Sequence, residues 1–213
     1  MNNRSKPILY YIYDPMCSWC WGYRPTWLLL QKKLESVVQI NTMVGGLAED
    51  SNTPMPEEMQ SFLQQTWHKI SGELGTQFNF DFWSQCQPKR STYPSCRAVI
   101  FARKYQKEQA MCLAIQQAYY LDAKNPSEVN TLRNIATSIG LDGDLFAQQI
   151  NSEKLKQQLA NEIKEVRAMP IQGFPSLVLA VDGELVPIRL DYKNWQTSYD
   201  MINMRIVKNN EKT

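Results

Sequence analysis

Two cysteines three positions apart, Cys17-Ser18-Trp19-Cys20, stand where a compact apolar run gives way to a helical pattern. The run before them, Pro7 to Tyr13, is β-rich and lacks polar alternation, which suits a central strand covered on both faces. Pro15 ends it, because proline has no N–H to offer a sheet ladder. After the cysteines, Thr26 to Ser36 carries Trp27, Leu28, Leu30 and Leu34 at helical spacing, and Pro25 predicts a kink near its start. Val37 to Val44 then reads as a second strand, broken by Gly45-Gly46. Strand, helix and strand form a βαβ unit with parallel neighbours and a right-handed crossover. This unit holds the dithiol at a helix N-terminus, where unpaired N–H groups and the helix dipole favour a thiolate. At that spacing both sulfurs share one helical face and can close a small ring.

From Pro54 to about Met169 the pattern is helical. Glu57 to Leu74 aligns Met59, Phe62, Leu63, Trp67, Ile70 and Leu74. The stretch through Asn79, Asp81 and Pro88 reads as loop. Further helices are predicted over Ser95 to Gln106, opened by Pro94, and over Gln109 to Asp122, with Met111, Ile115, Ala118 and Tyr119 in line. Asn125-Pro126-Ser127-Glu128 predicts a helix start with Asn125 as N-cap and a stop at Gly140. Asp142 and Ser152 are set to cap helices ending at Ile150 and Arg167. Strand signals return at Leu177 to Val181 and Glu184 to Leu190, joined by Asp182-Gly183, a favoured two-residue hairpin turn. Pro187 marks the second arm as an edge strand. Asp191 is placed to cap a last helix bearing Trp195, Tyr199, Ile202 and Ile206, and Asn209 to Thr213 is a polar tail.

The chain of 213 residues is 43% hydrophobic and 21% charged, enough for a real core. A net charge of +2 without a basic stripe gives no support to nucleic-acid binding. No stretch approaches the roughly 20 apolar residues of a membrane helix, and the start of the chain has no apolar signal core, so the expectation is a cytoplasmic protein without a membrane partner. Five cysteines, only two of them close in sequence, do not look like a secreted disulfide framework. A zinc site would need two more ligands; Cys86, Cys96 and the single histidine, His68, are poorly spaced for it, and no metal or other cofactor is expected. Cys86, Cys96 and Cys112 read as ordinary buried thiols, with Cys86 in an exposed loop setting, and His68 as a surface or core-edge residue.

Together, Cys17-Ser18-Trp19-Cys20 after the first strand and Gly173-Phe174-Pro175-Ser176 before a late strand resemble the DsbA family of thioredoxin-like proteins, in particular its FrnE-like branch of predicted protein-disulfide isomerases. The resemblance implies an α/β thioredoxin fold with a large all-helical insertion between the second and third strands. Residues 1–50 and 170–213 would make a discontinuous thioredoxin-like domain and 51–169 the inserted one. It also implies an exposed nucleophile at Cys17, a shielded resolving thiol at Cys20, and a cis-proline at Pro175 opposite Cys17. Ser18 and Gly173 would support the two motifs. Trp19 and Phe174 would form an apolar floor for protein or peptide thiol and disulfide substrates, with glutathione as a further partner. Two departures bear on redox poise. Ser18-Trp19 replaces the Pro-His pair of the strong oxidants, and Tyr11 stands where several relatives carry a buried acid. With no imidazolium beside Cys17, a less oxidising couple is expected. The alternatives on the same fold are a glutathione transferase or isomerase of the kappa and 2-hydroxychromene-2-carboxylate isomerase type, which generally have serine in place of Cys17, or a non-catalytic chaperone-like binder.

Overall fold

The computed structural model describes residues 6–210, with side chains assigned to 207. Among these, the element order is β1 (Ile8–Tyr13), α1 (Ser18–Leu34), β2 (Gln39–Val44), α2 (Glu57–Leu74), α3 (Phe82–Gln85), α4 (Tyr93–Arg103), α5 (Glu108–Tyr120), α6 (Val129–Ser138), α7 (Gly143–Gln149), α8 (Glu153–Arg167), β3 (Ser176–Val181), β4 (Glu184–Ile188) and α9 (Trp195–Asn210). The four strands form one mixed sheet in the order β2-β1-β3-β4. β1 runs parallel to β2, with Ile8 opposite Gln39, and antiparallel to β3, with Tyr10 opposite Val178. Pro187 lies in the edge strand β4, opposite Val178, where its missing N–H disrupts nothing. Asp182 and Gly183 both have positive φ, 49° and 80°, which brings β3 and β4 together in a tight turn.

The larger of two apolar clusters joins the sheet to the helical layer, with Leu9, Leu30 and Leu179 in the same cluster as Trp67, Phe101 and Leu159, and a smaller one gathers Ile12, Met43, Val166 and Val178. α1 begins eight residues ahead of the Thr26–Ser36 run and encloses Pro25. Its buried line is Tyr23, Trp27, Leu30 and Leu34, whereas Leu28 faces solvent. On α2 only Trp67 and Ile70 are buried, and Phe62 is 59% exposed. Two start signals act elsewhere than expected. Asn125 forms a side-chain turn onto the Ser127 amide and donates to the Gln87 carbonyl, so α6 starts at Val129. Asp191 accepts from the Lys193 and Asn194 amides, and Asn194 in turn accepts from the Gln196 amide at the head of α9. The four-residue α3 occupies the segment read as loop, its Phe82 packed edge-on against Tyr119 at 4.8 Å. Asp142 and Ser152 cap α7 and α8 as expected, each accepting from amides of the first turn.

Candidate active site

Cys17 is the residue on which β1 hands over to α1. It has extended dihedrals (φ −80°, ψ 118°) at the N-cap, and its carbonyl accepts the first helical bond from the Trp21 amide at 3.1 Å. Its own amide is held by the Asp14 carbonyl at 3.0 Å. No side chain caps the helix, so the sulfur sits beside amides that a thiolate can use. Across from it, the Phe174–Pro175 peptide bond is cis, and the Cys17 thiol donates to the Phe174 carbonyl at 3.4 Å. Residues remote in sequence thus meet at one sulfur. Gly45 makes room for this, because a Cβ there would come within 2.0 Å of the Phe174 ring.

The two thiols differ in surroundings. Cys17 is 7% exposed, which corrects the expectation of an open nucleophile: Met16, Trp19 and Phe174 crowd it, and what access it has is into a groove. Cys20 is fully buried one turn into α1. Burial, and then the neighbouring Cys17 sulfur, hold the Cys20 thiol well above the ordinary range. A protonated Cys20 beside an N-terminal Cys17 is the asymmetry that a nucleophile and a resolving thiol need. All five cysteines are free thiols.

Asp14 is a member of the site that the sequence reading passed over. Its carboxylate is fully buried and accepts from the Met16 amide (2.8 Å), the Leu47 amide (2.7 Å) and the Thr92 hydroxyl (2.7 Å). It thereby ties the cysteine turn to the loop after β2 and to the head of α4. Burial raises its pKa, against which these hydrogen bonds act. An aspartate between a strand and a proline was the available signal. Tyr11 is buried and stacked on Trp27 with centroids 4.1 Å apart, and burial pushes its phenol well up, so that position supplies a neutral group.

The remaining residues divide cleanly. Ser18 is buried and accepts from Trp67 Nε1 at 3.0 Å, turned toward the helical layer. Trp19 is half-buried and meets Tyr192 edge-on at 5.1 Å, a contact the sequence did not point to. Gly173 is exposed, with its carbonyl accepting from the Ser176 hydroxyl at 2.6 Å. Trp21 stacks on Tyr120, and Trp27 is core. Cys96 lies at Asp14, 3.5 Å from its carboxylate, and Cys86 is half-buried and donates to the Ala123 carbonyl. His68 is exposed and stacked on Phe80. Among the described residues no cluster of three or more His, Cys, Asp and Glu is placed to hold a metal.

The groove beside Cys17 has a cavity volume of about 240 Å³. Met16, Trp19 and Phe174 form its floor, and Met55, Phe62 and Leu63 one wall. Two residues of the predicted core line of α2, Phe62 and Leu63, therefore line the groove, while Trp67 and Ile70 of the same line are core.

The fold and the paired thiols define a thioredoxin-like protein of the DsbA architecture. Residues 10–185 match the family model described as Thioredoxin, and the chain belongs to that family. Among solved structures, a candidate protein disulfide isomerase from Nitrosomonas europaea superposes with a TM-score of 0.82 at 26% identity, over 96% of this chain and 99% of that one. The cytosolic disulfide reductase DsbM from Pseudomonas aeruginosa superposes at 0.73, with 23% identity, over 93% of this chain and 99% of that one, and has also been solved with GSH. In sequence, the chain is 25% identical to the ClpXP adapter protein SpxH of Halalkalibacterium halodurans over 84% of its own length and 61% of the relative's. The chain spans about three fifths of the curated relatives it matches.

Proposed function

We propose that this chain is a thiol–disulfide oxidoreductase acting on protein or peptide substrates through Cys17 and Cys20. The observation that carries the reading is the meeting of the Cys17 sulfur, at the head of α1, with the Phe174 carbonyl beside Pro175. In the reductive direction, the Cys17 thiolate attacks one sulfur of a substrate disulfide. A mixed disulfide forms, and the other substrate sulfur leaves as a thiolate that takes up a proton. Cys20 then gives up its proton and attacks the Cys17 sulfur, which releases the second substrate thiol and leaves a Cys17–Cys20 disulfide. Two electrons pass to the substrate, and a low-molecular-weight dithiol or thiol must restore the pair; run backwards, the same steps oxidise a client or, without net transfer, isomerise it. Trp19 and Phe174 line the groove where the substrate backbone would lie, the cis bond to Pro175 sets the turn that carries Phe174, and Ser18 and Gly173 hold the two turns. Glutathione is the natural restoring thiol in this proposal, since DsbM shares the fold and has been solved with GSH. A cytoplasmic setting fits the same relative, described as cytosolic.

Cys17→Ser is expected to abolish insulin reduction, while Cys20→Ser accumulates a mixed disulfide visible by mass spectrometry. Full activity in the Cys17 variant would refute the proposal. No cation stands between the cysteines and Ser18 turns away, so a glutathione titration should place the couple well below the roughly −120 mV of the strongest oxidant of this architecture. The SpxH relatives favour a second reading, in which the groove binds a protein client for delivery without turnover. Client binding that survives loss of both cysteines would select it.

A further inference from the structure

The groove beside Cys17 is apolar along one wall and cationic at its rim, which speaks to the kind of disulfide it accepts. Met55, Phe62 and Leu63 present adaptable apolar surface, and Phe62 remains 59% exposed although its place on α2 suits a core residue. Lys89 and Arg90 from the segment before α4 line the same space, and among the described residues no Asp or Glu does. The two cations are not equivalent. Lys89 Nζ is paired with Glu128 at 2.7 Å. Arg90 has no carboxylate partner among the described residues, and its exposed guanidinium rests on Met59 Sδ at 3.2 Å. That contact occupies one of its five N–H donors.

Resting on the redox reading above, we propose that Arg90 makes this site selective for disulfides in peptide segments that carry an acidic residue next to an apolar one beside the cysteine. The apolar neighbour would lie on Met55, Phe62 and Leu63, and the carboxylate would meet Arg90, whose planar fork suits it. An exposed cation acts mainly on encounter, so the preference belongs in kcat/KM and shrinks as salt rises.

The test uses the full chain, prereduced, against three cystine peptides of equal length with leucine beside the cysteine and glutamate, glutamine or lysine next to it. Each rate is divided by that of the same peptide with dithiothreitol, which removes the effect of the charge on the disulfide itself. The expected order is glutamate over glutamine over lysine, with about tenfold between the extremes at low salt and about twofold at 0.5 M. Arg90→Gln should bring the low-salt ratio of the glutamate to the lysine peptide near about one, while Arg90→Lys retains most of it. Equal rates for the three peptides, or a ratio intact in Arg90→Gln, would overturn this inference alone. Reduction of none of them would overturn the redox reading first, which makes the two failures distinguishable.

Discussion

The two glycines that follow β2 look alike in sequence and face opposite halves of the molecule. Gly45 abuts Phe174, in the turn that leads into β3, and a Cβ there would stand 2.0 Å from the ring. Gly46 has φ +64°, and a Cβ there would stand 2.5 Å from Ile163 of α8 and 2.7 Å from Tyr93 of α4. One keeps the sheet half closed around the sulfur; the other lets the helical layer close over the sheet. The difference teaches how labour is divided here. The sheet half supplies the reacting geometry from a helix start and a cis-proline turn. The helical half supplies groove-lining apolar residues and charge. Asp14 joins them, since its carboxylate holds the cysteine turn on one side and Leu47 and Thr92 on the other.

The largest effect is therefore expected at the joint rather than in either half. Asp14→Ala leaves the Met16 and Leu47 amides without an acceptor, a cost of about 2–4 kcal/mol in urea unfolding. A variant as stable as the parent would mean that the two halves do not depend on this link. Next comes Gly46→Ala, which adds left-handed strain to a collision with Ile163 and Tyr93 and should cost about 2–3 kcal/mol. Its kcat/KM, measured where the fold is intact, should fall little. Gly45→Ala should show the reverse. Gly45 carries no left-handed strain and the Phe174 ring it meets is half-buried where Ile163 is buried, so stability should change by about 1 kcal/mol or less, while kcat/KM for disulfide reduction falls about tenfold as Phe174 leaves its place beside Cys17. If both alanine variants lose stability and activity in parallel, the division of labour is wrong.

What could be read beforehand follows the same line. The sheet half was legible because its signals are local: an apolar run, a C-x-x-C, and an Asp-Gly turn whose two positive φ values the structure shows. In the helical half, periodicity located α2 and α5, and the start signals Pro94, Asp142 and Ser152 located α4, α7 and α8, but nothing showed which face of α2 would be covered. Phe62 and Leu63 fit a core line by spacing, and only the placement of Met55 and the segment at Lys89 and Arg90 makes them a groove wall. Asn125 and Asp191 show a related limit. Both make the side-chain turns their residue type favours, yet the backbone runs on three residues before each helix begins. Asp14 stayed hidden because its partners Leu47 and Thr92 are remote in sequence, and the fully buried position of Cys20 and the tight cover over Cys17 depend on the same closure.

The smallest predicted effect lies along the seam between the halves. There Cys112 of α5 is buried near Tyr11 and Tyr13 of β1, all three neutral, and burial pushes the Cys112 thiol up to about 12. An unfolded chain would release that proton near the ordinary value of 9.0. Between those two values the folded state holds a proton that the unfolded state has lost. Its contribution to stability is thus fully present below about pH 9 and declines as pH rises toward 12. Replacing Cys112 by alanine removes one such group. The variant should be slightly less stable at pH 7 through lost packing, yet its alkaline limb above pH 9 should be shallower, by up to about 1.4 kcal/mol per pH unit. Urea midpoints at pH 8, 9 and 10 would read this. Parallel limbs for the two proteins would mean that the seam already admits water, and that the helical half closes over the thiols less tightly than its packing against β1 implies.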